Sequence, residues 1–127
     1  MLFRSVSQSR YCRSILEVGC GEGSFVKTLK RKDREIWGVE IYSEAAEKAK
    51  EVCDFVLTGS FDAVFEQLPE KHFDCIIFND VLEHMYAPWD VIMQVKSLLS
   101  DNGVVVSSIP NFRPVKIRWW LFLQSTP

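Results

Sequence analysis

The stretch ILEVGCGEGSF, residues 15–25, decides how this chain is read. An apolar run ends and Gly19, Gly21 and Gly23 follow at alternate positions. Two explanations compete. One is a tight loop between a strand and a helix. The other is a ligand that must lie against bare backbone. A tight turn needs fewer glycines than this, whereas backbone that meets a ligand gains from every missing Cβ. The helix start beyond the loop would favour a carboxylate or phosphate.

Working outward, five short apolar runs stand out, at 14–18, 35–40, 54–57, 73–78 and 104–109. The first, fourth and fifth lack polar alternation, the pattern of strands covered on both faces. Helical patterns lie between them. Residues 24–31 place Phe25, Val26 and Leu29 on one side. Ser43 can cap a helix over 44–52, and a weaker helix covers 61–67. Pro88 suits a first helical turn, and Val91, Ile92, Val95, Leu98 and Leu99 then form one stripe, closed by Asn102 and Gly103. Strands alternating with helices imply right-handed βαβ units and a parallel sheet. The expectation is a doubly wound, Rossmann-like α/β sandwich.

The chain has 127 residues with 47% hydrophobic and 25% charged, a composition that suits one domain with its own core. The net charge of −2 carries no basic excess, so nothing points to nucleic acid. Cys12, Cys20, Cys53 and Cys75 form no C-x-x-C pair and read as buried thiols in a reducing compartment rather than as disulfides or a metal site. No signal-peptide core and no apolar run of about 20 residues is present, which leaves a cytoplasmic location as the default and membrane contact disfavoured.

In a doubly wound sheet the ligand crevice lies at the carboxyl ends of the strands, where strand order reverses. A dinucleotide fingerprint wants G-x-G-x-x-G, and here Ser24 stands at the third glycine. The second strand ends in Glu40, about 20 residues after the loop, where a carboxylate can accept from a ribose diol and repel a 2′-phosphate.

At this point ILEVGCGEGSF, WGVEI and FDCIIFNDVLEH together resemble successive motifs of the class I S-adenosylmethionine-dependent methyltransferases, in particular the group acting on small molecules such as quinones, lipids and sugars. The resemblance runs from about Ser14 to Asn111, with GVVVSSIPN similar to the family's fifth strand. It implies a five-stranded, mainly parallel sheet of order 3-2-1-4-5. It also implies S-adenosylmethionine as the donor and a methyl group moved to a small-molecule, lipid or glycan-type acceptor. Carried over, Glu17 and Gly19 hold the donor's amino acid end, with Cys20 and Gly21 in the loop. Glu40 takes the ribose and Ile41 packs on the adenine. Gly59, Ser60 and Phe61 flank the adenine. Many members place an acid directly after that glycine; here Ser60 stands there and Asp62 follows two positions later. Asn79, Asp80 and Val81 border the methionine portion.

Transfer from a sulfonium is an in-line displacement, so alignment is the protein's main task, and a base is required only where the acceptor must lose a proton. Glu83 and His84 follow the fourth strand, and His84 is the candidate base. His72, before that strand on a polar turn, reads as solvated. Two other readings compete with a catalyst: a donor-binding domain without catalysis, and a nicotinamide-dependent oxidoreductase. Relative to the family the chain reads as one domain, 1–127, lacking the last strands. The remnant 113–127 is basic and aromatic, with Trp119, Trp120, Leu121, Phe122 and Leu123 consecutive. The missing strands would leave the fifth strand as a bare sheet edge. The tail either folds back over that edge or mediates homodimerisation.

Overall fold

The computed structural model describes residues 11–79, 81–110 and 118–124, with 108–110 and 118–124 described by backbone alone. Six strands form one sheet of order β3-β2-β1-β4-β5-β6. They are β1 (Ser14–Val18), β2 (Glu35–Glu40), β3 (Phe55–Thr58), β4 (Phe73–Asn79), β5 (Leu99–Pro110) and β6 (Arg118–Gln124). The first five pair in parallel in the expected order. The sixth pairs antiparallel to β5, from Val104 opposite Gln124 to Pro110 opposite Arg118. The expectation of a bare fifth strand is therefore corrected: part of the remnant folds back and covers that edge.

Four helices are described: α1 (Ser24–Lys27), α2 (Ser43–Ala49), α3 (Phe61–Val64) and α4 (Pro88–Val95). All four are shorter than their sequence patterns suggest. After α1 the coil tightens into i→i+3 bonds, with Leu29 N donating to Val26 O and Lys30 N to Lys27 O. A single turn of this length carries little dipole, so α1 is not an anion site in its own right. In α2 the cap is Tyr42, and Ser43 is the first helical residue. Ser60 caps α3 through its side chain, accepting from Ala63 N at 3.2 Å, and the rest of the expected helix is a 3-10 turn at Phe65–Gln67. Pro88 starts α4 as expected, and a 3-10 turn at Lys96–Leu98 follows it.

Alternation along the strands sorts the core into two faces. Leu16, Val18, Ile76, Phe78 and Val105 pack beneath α3 and α4, against Phe61, Val64, Ile92 and Val95. Ile15, Cys75, Ile77 and Val106 pack on the other side, with Val26, Leu29 and Ala49 of the α1 and α2 layer. The whole stripe Val91, Ile92, Val95, Leu98 and Leu99 is buried.

Asp74 binds β1 and β5 to β4 at the end of the sheet remote from the glycine loop: Oδ2 accepts from Arg13 N at 2.8 Å, and Oδ1 from Ser100 Oγ at 2.6 Å. His72 is not merely solvated: its Nε2 lies 2.6 Å from Glu35 Oε1 and its ring meets Phe73 edge-on. That bond is the main reason the Glu35 carboxyl lies below its usual range. Among the described residues no helix is long and apolar enough to cross a membrane.

Candidate donor-binding site

The glycine loop owes its shape to backbone that other residues resist. Gly19 has φ +77° and Gly21 has φ +57°, both left-handed. A Cβ on Gly19 would lie 2.9 Å from Val81 Cγ2, so the loop after β4 closes onto bare backbone there. A Cβ on Gly21 would meet nothing within 4 Å. The loop is anchored to β2: Gly19 N and Cys20 N both donate to Val39 O, at 2.8 and 3.0 Å.

Glu40 completes the anchor. Its carboxylate is 7% exposed at the end of β2. Oε1 accepts from Gly21 N at 2.9 Å and Oε2 from Tyr42 N at 2.9 Å. An ionised carboxylate offers about four lone-pair sites, so each oxygen can still accept from a ligand.

A cavity of about 800 Å³ opens at the carboxyl ends of β1, β2 and β4. The switch point is here, since β1 is flanked by β2 on one side and β4 on the other. Of the expected residues, Gly19, Glu40, Ile41, Gly59, Ser60, Phe61, Asn79, Val81 and His84 all line this cavity. Glu17, Cys20 and Gly21 are not among its lining residues. Asp80 lies outside the described residues. Ile41 is 59% exposed, an aliphatic side chain offered to whatever occupies the cleft.

Glu17 sits below the loop, 2% exposed, and its Oε1 has no hydrogen-bond partner. Burial, followed by the charges of Cys53 and Glu40, pushes its carboxyl up to about 8. A buried acid with an unused oxygen beside a ligand loop is poised for a cation or donor. His84 stands in a 3-10 turn, Leu82–His84, with its side chain 77% exposed and Nε2 3.6 Å from Glu83 Oε1.

The sequence reading missed the wall formed by Tyr42, Met85, Tyr86, Asp90 and Gln94. Asp90 and Gln94 stand one helical turn apart on α4, off the buried stripe, which was the available signal. Asp62, noted only as an offset acid, lines the cavity while the Ser60 hydroxyl is engaged in capping α3.

The site thus combines carboxyl oxygens able to accept hydrogen bonds, at Glu17 and Glu40, with an exposed aliphatic surface at Ile41.

Comparison with known proteins points the same way. The chain is 29% identical over 108 residues to a ubiquinone biosynthesis O-methyltransferase of Actinobacillus pleuropneumoniae serotype 5b, covering 78% of this chain and 46% of that protein. It thus spans less than half the length of that curated relative. Among solved structures it matches a SAM dependent methyltransferase from Archaeoglobus fulgidus with a TM-score of 0.74 at 23% identity, over 87% of this chain and 51% of the other. It also matches the plantazolicin methyltransferase BamL, solved with a triazolic desmethylPZN analog and SAH, with a TM-score of 0.72 at 22% identity, over 86% and 43% of the two chains. These two likenesses establish a shared fold. A family model described as a methyltransferase domain matches residues 5–126, nearly the whole chain, and with the glycine loop, the acid after β2 and the sheet order already in place, the chain belongs to that methyltransferase domain family.

Proposed function

We propose that this chain binds S-adenosylmethionine and serves methyl transfer to a small-molecule acceptor. The observation that carries the reading is Glu40, a buried carboxylate lining the cavity and hydrogen-bonded to the glycine loop. Its free lone pairs accept from the ribose hydroxyls, as expected for an acid at the end of a second strand. Ile41 packs on the adenine. Asp62 takes the acceptor role toward the adenine amino group, since Ser60 is committed to its helix cap. Gly19 leaves room for the amino acid end, and Glu17 beneath it offers a buried oxygen with no partner in the protein to accept from it. Asn79, Asp80 and Val81 border the methionine portion. When bound, the sulfonium donor supplies a methyl group already activated for displacement. The residues' part is alignment and exclusion of water. His84, which also lines the cavity, takes a proton from a hydroxyl acceptor where one must be removed. The name of the Actinobacillus relative supports a small-molecule acceptor. A nicotinamide dinucleotide is disfavoured by Ser24 at the position of the third fingerprint glycine.

Calorimetric titration with S-adenosylmethionine, its demethylated product and NAD tests this reading. The first two should bind and NAD should not. Glu40→Ala should weaken binding about ten- to a hundredfold, the effect of losing one charged hydrogen bond of ~1.5–3 kcal/mol. Tight NAD binding, or unchanged affinity in a folded Glu40→Ala protein, would refute it. Transfer of labelled methyl to candidate acceptors then separates a catalyst from a donor-binding domain.

A further inference from the structure

Two pairs of buried thiols lie in the core on the α1 and α2 side of the sheet, and the donor reading uses neither sulfur pair. Cys12 and Cys75 sit near the start of β1 and within β4, and Cys20 and Cys53 sit near the glycine loop. Cys20 stands between Gly19 and Gly21. Cys53 ends the coil after α2, its N–H donating to Ala49 O at 2.8 Å. Both sulfurs lie over Gly38 in β2. The place a Cβ on Gly38 would take is 2.7 Å from Cys20 Sγ and 3.3 Å from Cys53 Sγ. Glycine inside a strand weakens it and marks a close approach. Here the approaching group is the thiol pair.

We propose that Cys20 and Cys53 are a modification site at which a peroxide-class oxidant closes a disulfide, and that this bridge weakens donor binding. The step balances. The Cys53 thiol gives up its proton and its sulfur attacks one peroxide oxygen. The O–O bond breaks, the leaving hydroxide takes that proton, and Cys53 becomes a sulfenic acid. The Cys20 sulfur then displaces hydroxide from the Cys53 sulfur, the S–S bond forms, and the Cys20 proton leaves with that hydroxide as a second water. Two thiols lose two electrons, and one hydrogen peroxide becomes two waters.

The order of attack follows from the pair itself. The neighbouring Cys20 thiol lowers the Cys53 thiol, helped by the Lys30 charge, while the proximity of Cys53 and burial raise Cys20, whose S–H donates to Gly21 O at 3.6 Å. Geometry separates this pair from the other. Cys75 is held within β4 between β1 and β5, whereas Cys20 and Cys53 stand outside the strands and can close the remaining distance. Closure draws Cys20 toward the α2 side. It thereby shifts the neighbouring Gly21 N–H, which points 2.9 Å to Glu40 Oε1.

Mild hydrogen peroxide treatment of the full chain, followed by intact mass, non-reducing peptide mapping and titration with S-adenosylhomocysteine, tests the proposal. The parent should lose two hydrogens, map a Cys20–Cys53 bridge, and bind the probe about tenfold more weakly, the loss of roughly one hydrogen bond. Reduction should restore it. Cys53→Ala should bind like the reduced parent and stay unchanged after peroxide. A bridge mapped only to Cys12 and Cys75, no bridge after prolonged exposure, or a bridge without loss of affinity would each overturn it. The affinity change rests on the donor reading and the bridge does not. A protein that maps the bridge yet never binds the probe in either state refutes the donor reading and the coupling while leaving the modification site standing.

Discussion

Glu17 places an ionisable group where water is nearly absent. Its carboxyl is pushed up to about 8, by burial first and by Cys53 and Glu40 next. An ordinary Glu ionises near pH ~4.3 in an unfolded chain. Between those values the unfolded state holds fewer protons at this site than the folded state does. Stability from Glu17 is therefore fullest below the unfolded value and is lost as pH rises toward 8, at up to ~1.4 kcal/mol per pH unit. Glu17→Gln removes the titration and keeps the shape. Thermal melts from pH 5 to 9 should show the parent losing stability relative to Glu17→Gln as pH rises; parallel curves would contradict the neutral-acid assignment. At this scale the site was half legible. Gly19 and Glu40 could be found because their roles are imposed by chain-local chemistry: positive φ, and an acid at a strand's end. Met85 and Tyr86 could not, because only tertiary folding brings the segment after β4 over the cleft.

At the scale of elements, strands were easier to read than helices. Burial on both faces of β1 and β4 writes a continuous apolar run into the sequence, whereas the helices here are so short that i→i+3 turns replace their last residues. The fifth strand shows where pattern reading fails. Asn102 and Gly103 look like a turn that ends a helix, yet β5 already begins at Leu99. The register runs from Phe73 opposite Leu99 to Cys75 opposite Val104, so the residues between bulge out of the ladder. Ser100 is held to Asp74 within that bulge. Gly103 is required by space: a Cβ would stand 2.6 Å from Phe73 O and 3.1 Å from Leu99 Cβ. Because a backbone oxygen cannot swing aside, Gly103→Ala should destabilise by roughly 1–3 kcal/mol, the usual range for overpacking. Urea unfolding measures this, and an unchanged midpoint would show that the bulge relaxes freely.

For the whole molecule, the parallel, doubly wound sheet followed from the alternation of strands and helices, and its order from the resemblance to the methyltransferases. The sixth strand did not, because consecutive large apolar residues fit a buried helix as well as a strand. With β6 in place the outer strands among the described residues are β3 and β6. Our reading is that copies of the chain associate through the β6 edge, whose outward backbone groups invite a further strand. Sedimentation equilibrium should then detect dimer at high micromolar concentration, and a strictly monomeric chain would rule this out. The Glu40 clasp has a different consequence, one of timing. Because its two oxygens already grip Gly21 N and Tyr42 N, the loop, β1 and β2 are held in one arrangement before any ligand arrives. Little ordering is left to the encounter, and association should run in one step. Stopped-flow traces should be single exponentials whose observed rate climbs linearly with ligand concentration. A plateau would instead reveal a slow rearrangement of the loop.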